Sequence, residues 1–316
     1  MKLLTGNAHP KLAQGIADYL ETSLADAEVT KFPDGETYVR IKENVRRQDV
    51  FIIQPTSPPT NHNLMELLIM VDAVRRASAE RITAVIPFFG YARQDRKDKP
   101  RAPITAKLVA NLIEAAGVDR VLTMDLHAAQ VQGFFDIPVD HLYAKSVLLK
   151  HLREQRNGSE AELTVVSPDV GGVKIARSYA DALEADLAIV AKQRISATRV
   201  EAMKLIGEGE GRDVVIVDDM TETAGTLCAA AEILKENGAG RIFAGVSHAV
   251  RGELGCQQIM KSDIDEVIST DSTPPLVESC PKLSTVTVAG LLGEAIQRIH
   301  NGKSVSSLFD IDGGSV

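Results

Sequence analysis

The stretch that decides the fold is residues 214–226, VVIVDDMTETAGT. Four β-branched residues lead into the acidic pair Asp218 and Asp219, and a loop of small and polar residues follows. Residues 227–237 have helical apolar spacing, and Gly238 is placed to end that helix. The stretch therefore predicts a buried strand, an acidic pair, a short loop and the start of a helix.

The loop predicts an anion site. Its small or hydroxyl-bearing residues at the helix start are Thr223, Ala224, Gly225 and Thr226. Backbone N–H groups at a helix N-terminus lack intrahelical partners, and the helix dipole favours negative charge there. Asp218 and Asp219 cannot bind a phosphate, but they can accept hydrogen bonds from ribose hydroxyls. The pattern thus indicates a ribose phosphate ligand; the alternative is that the acidic pair only caps the helix.

The same alternation of strand and helix runs along the chain. β-rich runs at residues 50–53, 82–86 and 121–124 alternate with apolar residues at helical spacing over 64–71 and 104–112. After a polar break, further β-rich runs follow at residues 163–166, 187–190 and 214–217. Such alternation is typical of parallel sheets. We therefore predict an α/β fold with two tandem domains, each a mainly parallel central sheet flanked by helices.

The predicted domains are residues 1–147 and 148–298, with a tail at 299–316 that packs on the N-terminal domain. A chain of 316 residues, 44% apolar and 25% charged, is long enough for two domains with separate cores. Its formal net charge of -8 opposes non-specific attraction to polyanions. Neither nucleic acid nor a membrane is therefore expected as a partner.

The cysteines and the N-terminus predict the compartment. Cys228, Cys256 and Cys280 are odd in number and widely spaced, which suits neither a disulfide framework nor a zinc site. The first residues lack the apolar segment of a signal peptide, and no apolar run reaches the roughly 18 residues of a membrane span. We therefore expect reduced thiols and a cytoplasmic protein.

Three further motifs carry a family resemblance: FPDGE at residues 32–36, YARQD at 91–95 and DLHAAQVQGFF at 125–135. Together with the loop they closely resemble the ribose-phosphate diphosphokinases, whose domains have the phosphoribosyltransferase-type fold. The resemblance covers nearly the whole chain, because further matching stretches lie at residues 6–10, 61–67 and 304–309.

The resemblance implies an ATP site built from two segments. The implied residues are Phe32, Asp34, Gly35 and Glu36, reached from a neighbouring subunit, and Arg93, Gln94 and Asp95. Taken alone, residues 32–36 would indicate an ordinary turn. The basic residues that follow Arg93 would indicate a solvated charge run, although arginine also suits polyphosphate.

Moving a diphosphate concentrates negative charge, so metal ions and cationic side chains must stabilise the transition state. The resemblance implies Mg²⁺ as cofactor, with His127 and Asp169 as the metal-associated residues, through water if need be because imidazole is an unusual magnesium ligand. It implies Lys192 and Arg194 as the catalytic pair on a closing loop. Alone, His127 would be an ordinary side chain and Asp169 a turn former.

The implied reaction transfers the β,γ-diphosphate of ATP to the 1-hydroxyl of ribose 5-phosphate. Its products are AMP and 5-phosphoribosyl 1-diphosphate, for nucleotide, histidine and tryptophan biosynthesis. The implied ribose 5-phosphate residues are Arg194, Asp218, Asp219, Glu222, Thr223, Ala224, Gly225 and Thr226. The alternatives are a phosphoribosyltransferase with the same loop, and a catalytically silent regulatory homologue.

The resemblance also implies regulation and assembly. Phosphate and ADP are the expected regulators, and the chain is expected to form a homo-oligomer, a hexamer built from dimers. The residues that match the regulatory pattern are Arg46, Arg101, Ser304, Ser306 and Phe309. Pro100 replaces a small polar residue of the family and lacks both a hydroxyl and an N–H group, which predicts weakened ADP inhibition. Glu222 stands where the family usually has Asp.

Overall fold

The computed structural model describes residues 1–156, 161–193, 202–249, 252–275 and 280–308. The chain divides into two compact units. The first comprises Met1–Tyr143, Ser272–Pro274 and the segment that begins at Thr287; the second comprises Ala144–Asp271 and Pro275–Val286. Within the described ranges, no helix has both the length and the apolar character needed to cross a membrane.

The first unit is built on a five-stranded parallel sheet. In chain order its elements are β1 (Lys2–Thr5), α1 (Pro10–Tyr19), β2 (Ala27–Lys31), β3 (Thr37–Ile41), β4 (Asp49–Ile53), α2 (Thr60–Arg76), β5 (Arg81–Ile86), α3 (Thr105–Ala116), β6 (Arg120–Met124) and β7 (Val139–Leu142). The strand order is β1-β4-β5-β6-β7, and all four pairings are parallel. Strands β2 and β3 form a separate antiparallel hairpin. A 3-10 turn, Ala129–Phe134, lies between β6 and β7.

The apolar runs of the first half form this sheet as predicted. Residues 50–53, 82–86 and 121–124 are buried within β4, β5 and β6. Helix α3 ends at Gly117, whose φ of 110° is the left-handed conformation that glycine tolerates. However, the apolar residues that signalled α3 lie on its exposed side, at Ile104, Leu108 and Leu112. The helix packs instead through smaller residues, Ala106, Val109, Ala110 and Ile113.

The second unit is built on a seven-stranded sheet. Its elements are α4 (Lys145–Gln155), β8 (Leu163–Ser167), α5 (Val173–Leu183), β9 (Asp186–Gln193), β10 (Ala202–Ile206), β11 (Asp213–Thr221), α6 (Gly225–Glu236), β12 (Ile242–Ala249), α7 (Glu253–Lys261), β13 (Glu266–Thr270) and β14 (Leu283–Val286). The strand order is β10-β9-β8-β11-β12-β13-β14. Only the β9–β10 edge pair is antiparallel among the pairings of these strands. The predicted α/β class with mainly parallel sheets is confirmed.

The last helix, α8 (Ala289–His300), belongs to the first unit. Gly293 leaves room for the Tyr19 ring of α1, where a Cβ atom would collide with it. At the far end, His300 Nδ1 lies 2.8 Å from Asp49 Oδ2 on β4. This differs from the predicted second domain, which ran to residue 298. The physical reason is that an amphipathic helix pattern does not specify which sheet the helix covers.

One expectation about the cysteines is wrong. Cys256 on α7 and Cys280 before β14 form a disulfide, with Cα atoms 5.7 Å apart, inside the usual range for such bonds. Cys228 is free. The two partners are 24 residues apart in sequence, and only the folding of the second unit brings them together.

Candidate active site

The loop that decides the fold lies at the carboxyl end of the central strand of the second unit. Strand β11 ends at Thr221 and α6 begins at Gly225. Ala224 is the N-cap of α6, with a φ of 61° and no side-chain cap hydrogen bond. Thr223, Gly225 and Thr226 are exposed around this helix start. The N-terminal dipole end of α6 is therefore accessible to an anion, as the sequence predicts.

The acidic pair lies inside β11, immediately before this loop. Asp218 and Asp219 are half-buried, and the Asp219 N–H donates to Asp218 Oδ1 at 2.9 Å. Neither residue can cap α6, because the N-cap position belongs to Ala224. The alternative that the pair serves only as a helix cap is therefore wrong.

The electrostatics of the pair are unusual. Burial, followed by the charge of Asp219 and then, among smaller contributions, that of Asp169, raises the pKa of Asp218 to about 8. A carboxyl group that is desolvated and surrounded by other carboxylates loses its proton only at a higher pH. The cluster of Asp169, Asp218 and Asp219 thus favours cations and hydrogen-bond donors, and such perturbed groups concentrate at functional sites.

Asp169 follows β8 and forms a tight turn before α5. Its Oδ1 atom accepts hydrogen bonds from the N–H groups of Gly171 and Gly172, at 2.7 and 3.0 Å. The residue is therefore a turn former, as its type alone suggests, and it also contributes to the charge around Asp218. Among the described residues, no three His, Cys, Asp or Glu side chains are placed so that together they could hold one metal ion, and Asp169, Asp218 and Asp219 are not an exception. Carboxylate oxygens nevertheless fit Mg²⁺, which commonly takes one or two carboxylates together with water and substrate phosphates.

In the first unit, residues 32–36 form the tip of the β2–β3 hairpin. The Gly35 N–H donates to the Phe32 carbonyl at 2.9 Å, and Gly35 has a φ of 94°. The Phe32 ring is 49% exposed and packs edge-on against Tyr38, with centroids 5.5 Å apart. The motif is thus a turn in geometry, and it presents an aromatic face beside the exposed carboxylates of Asp34 and Glu36. Such a tip can stack a base.

Two of the predicted motifs meet within the first unit. Gln130 Nε2 donates to Asp95 Oδ2 at 2.9 Å, which joins the segment after β5 to the segment after β6. Thr105 Oγ1 donates to Gln94 Oε1 at 2.5 Å, at the start of α3. Arg93 is exposed beside them. The structure therefore brings the predicted nucleotide segment 91–95 against the segment that carries His127.

His127 is exposed, and a residue missed by the sequence analysis positions its segment. The Leu126 N–H donates to Nε2 of His141 at 2.9 Å, and His141 is buried on β7. His127 belongs to the first unit and Asp169 to the second. Their joint metal role therefore stays a prediction.

The remaining predicted residues are only partly described. Lys192 lies on β9 and pairs with Met203 of β10 through the backbone. Arg194 and Phe309 lie outside the described residues. Arg46 and Arg101 are exposed in the first unit, and Ser304 Oγ donates to Ser306 Oγ at 3.0 Å. In the described chain no hydrogen bond or ion pair joins either arginine to these serines.

The chain has two units, each built on a mainly parallel sheet. In the second unit a strand runs into an acidic pair, a short loop and a helix start. These features define a phosphoribosyltransferase-type α/β protein. Family models agree. The N-terminal domain of ribose phosphate pyrophosphokinase matches residues 1–117, and the phosphoribosyl synthetase-associated domain matches residues 193–310. The chain belongs to the ribose-phosphate pyrophosphokinase family.

Relatives match along almost their whole length. A ribose-phosphate pyrophosphokinase of Vibrio vulnificus is 56% identical over 314 residues, which is 98% of this chain and 99% of the relative. Ribose-phosphate pyrophosphokinase A of Dictyostelium discoideum is 54% identical over 98% of both chains. The crystal structure of a phosphoribosylpyrophosphate synthetase from Mycobacterium smegmatis superposes with a TM-score of 0.90, at 38% identity, over 95% of this chain and 99% of that one.

Proposed function

We propose that this chain is a ribose-phosphate diphosphokinase. It transfers the β,γ-diphosphate of ATP to the 1-hydroxyl of ribose 5-phosphate and releases AMP and 5-phosphoribosyl 1-diphosphate. The observation that carries the proposal is identity above one half, along 98% of both chains, with relatives named ribose-phosphate pyrophosphokinase. The α6 loop and the exposed hairpin tip supply the two kinds of ligand chemistry that this reaction needs.

The ribose 5-phosphate site is assigned to the β11–α6 loop. The 5-phosphate binds the N–H groups and hydroxyls at the start of α6, where the dipole favours it. Asp218 and Asp219 accept hydrogen bonds from the ribose hydroxyls, which offsets the burial and the neighbouring carboxylate charge that raise the pKa of Asp218. Glu222 and Arg194 complete the set.

The ATP site is assigned to the hairpin tip and to residues 91–95. The Phe32 face stacks on the adenine, while Asp34 and Glu36 accept hydrogen bonds from its exocyclic amine. Arg93, Gln94 and Asp95 serve the remainder of the nucleotide, with the arginine fork suited to phosphate oxygens. In the assembled enzyme the hairpin serves the site of a neighbouring subunit.

The chemistry is an in-line displacement at the β-phosphorus of ATP. The new bond joins O1 of the ribose to that phosphorus, the bridging oxygen leaves with AMP, and the hydroxyl proton is released. Magnesium, held by Asp169 and His127, would neutralise charge on the phosphates. Lys192 and Arg194 stabilise the charge that develops on the migrating group and on AMP.

We also propose a homohexamer built from dimers, working in the cytoplasm and responding to phosphate and ADP. The regulatory residues would be Arg46, Arg101, Ser304, Ser306 and Phe309. Weakened ADP inhibition through Pro100 remains a prediction. Light scattering distinguishes a mass near six times 34.0 kDa from smaller assemblies.

A single assay separates this function from its alternatives. The purified protein is incubated with Mg·ATP and ribose 5-phosphate, and AMP and 5-phosphoribosyl 1-diphosphate are quantified. We expect AMP release that depends on ribose 5-phosphate, lost by at least about 10³-fold in Lys192→Ala and retained in Lys204→Ala, a matched lysine on β10. A phosphoribosyltransferase would instead consume the diphosphate product with a base, and a silent homologue would release no AMP.

A further inference from the structure

A buried carboxylate in the first unit has no part in the proposed reaction. Glu66 on α2 has no solvent-exposed surface. Its Oε1 atom accepts hydrogen bonds from the Asn7 N–H at 2.6 Å and from Gln54 Nε2 at 2.9 Å. Its Oε2 atom accepts from Asn7 Nδ2 at 2.9 Å, and His62 Nε2 lies 3.6 Å away. Four nitrogen groups therefore surround one buried carboxylate, which fixes it firmly.

The chain around Asn7 is fitted closely to this carboxylate. A Cβ atom on Gly6 would lie 2.6 Å from Glu66 Oε1, so only glycine allows the backbone to approach. The next residue, Ala8, donates its N–H to Gln54 Oε1 at 3.2 Å. The turn after β1 is thus held by Glu66 and Gln54, two side chains that are fully buried.

Asn7 also holds the β2–β3 hairpin. Its Nδ2 atom donates to the Val29 carbonyl of β2 at 3.1 Å. Val29 is the middle residue of β2 and lies three residues before Phe32 of the hairpin tip. Of the hydrogen bonds described for residues 27–41, this one alone joins the hairpin to a residue beyond the segments that flank it. The strands are otherwise attached by partly buried side chains, among them Val29, Val39 and Ile41.

The contact has a geometry suited to positioning. The side chain of Asn7 is exposed, so it contributes little to the core. Glu66 determines the direction of the Asn7 amide, and the second N–H of that amide then meets the hairpin. One end of this bridge is Glu66 on α2, and the other is the β2–β3 hairpin, which pairs with no further strand among the described residues. A two-stranded hairpin is marginally stable by itself.

We propose that Asn7, oriented by Glu66, is a positioning residue that fixes the hairpin and thereby sets the affinity for the purine nucleotide. The inference rests on the proposed nucleotide role of Phe32, Asp34 and Glu36. In this role the Asn7 side chain contacts the hairpin and not the nucleotide. By holding the hairpin in place, Asn7 lowers the free-energy cost of ordering the tip. Without Asn7 that cost would be subtracted from the binding free energy of the nucleotide.

The test compares Asn7→Ala with Lys42→Ala in the full-length enzyme. Lys42 forms an exposed ion pair with Glu28 inside the same hairpin, 3.5 Å long, and does not attach it to the sheet. We expect Asn7→Ala to raise the KM for ATP about fivefold, the worth of one hydrogen bond. The KM for ribose 5-phosphate should stay near wild type, whereas the melting temperature should fall moderately, because the buried Glu66 carboxylate loses one of its donors. Lys42→Ala should change neither KM.

Hydrogen–deuterium exchange supplies a readout that needs no turnover. Residues 29–38 should exchange faster in Asn7→Ala, by about the same factor, while residues 50–53 of β4 should keep their protection. Unchanged exchange, or faster exchange with an unchanged KM for ATP, overturns the positioning role. Equal increases in both KM values would also overturn it, because they indicate general damage. If the wild type makes no product while exchange responds as expected, the proposed function fails and not the hairpin contact.

Discussion

At the scale of single residues, Asp218 shows how this site differs from an ordinary strand end. Its carboxyl group is largely desolvated and lies beside Asp219 and near Asp169, and its pKa rises to about 8. The unfolded chain would ionise the same group near pH 3.9. Because the folded pKa is the higher one, this group stabilises the fold below about pH 4, and that stabilisation is lost as the pH rises towards 8.

The replacement Asp218→Asn should therefore stabilise the free protein while removing function. We expect its melting temperature to exceed that of the wild type at pH 8, with the gap closing towards pH 4, measured by calorimetry without substrate or magnesium. Activity should fall because ribose hydroxyls lose an acceptor. A variant less stable than the wild type at pH 8 would show that burial of the ionised Asp218 carboxylate beside Asp219 does not destabilise the fold.

At the scale of elements, helix α7 packs directly on the β11–α6 loop, to which the ribose 5-phosphate site is assigned by proposal. A Cβ atom on Gly255 would lie 3.0 Å from the Glu222 carbonyl oxygen, so a larger residue must displace the loop backbone. Gly252, at the start of the same helix, has open space around its Cα.

Gly255→Ala should raise the KM for ribose 5-phosphate by roughly tenfold, because overpacking here costs about 1–2 kcal/mol. Helix propensity favours the change, so unfolding should not mask the effect. Gly252→Ala is the matched control and should keep the wild-type KM. Steady-state kinetics with varied ribose 5-phosphate check this; equal KM values for both variants would contradict the assigned loop.

A second contact between elements attaches α8 to the first sheet. Asp49 accepts hydrogen bonds from Arg81 Nε at 2.9 Å and pairs with His300. Burial raises the pKa of Asp49, but the hydrogen bonds from Arg81 and His300 lower it by more than burial raises it. The net pKa of Asp49 is therefore below its usual range. A lowered pKa stabilises the fold above about pH 4, and this contribution disappears as the pH falls through the folded value.

Asp49→Asn should accordingly destabilise the protein by about 1 kcal/mol at pH 7. The difference from the wild type should shrink below pH 4, as measured by urea unfolding at both pH values. A constant difference across that range would mean that the charge of Asp49 contributes nothing.

Some of the elements could be predicted from the sequence, and others could not. The β-branched runs of β4, β5, β6 and β11 predicted their strands because parallel strands are buried on both faces. The sequence did not show which face of α3 would be buried, since the spacing of Leu108 and Leu112 places them on one face but does not say whether that face meets the core. Local patterns also could not indicate that α8 joins the first sheet, or that Cys256 meets Cys280.

The candidate site was foreseeable to a similar extent. The β11–α6 loop has a local physical signature, and its strand, loop and helix occur where the sequence places them. The positions of Phe32, Gln94 and His127 came from family resemblance alone. The supporting residues His141, Asn7 and Glu66 gave no local signal, because their roles arise from contacts between segments distant in sequence.

At the scale of the whole molecule, two phosphoribosyltransferase-type units together make a diphosphate donor rather than consume one, if the proposed function holds. The first unit carries the hairpin and residues 91–95, which a phosphoribosyltransferase would not need. The second carries the anion loop and the carboxylate cluster. The distinction is whether ATP is cleaved between its α- and β-phosphates, which a maker of the diphosphate donor does and a phosphoribosyltransferase does not.

The most direct test follows the label from ATP that carries ³²P in the β-phosphate, incubated with the full-length protein, magnesium and ribose 5-phosphate. We expect the label to enter 5-phosphoribosyl 1-diphosphate, and unlabelled AMP to form in an equal molar amount. Label remaining in ADP, or no transfer that depends on ribose 5-phosphate, would contradict this expectation.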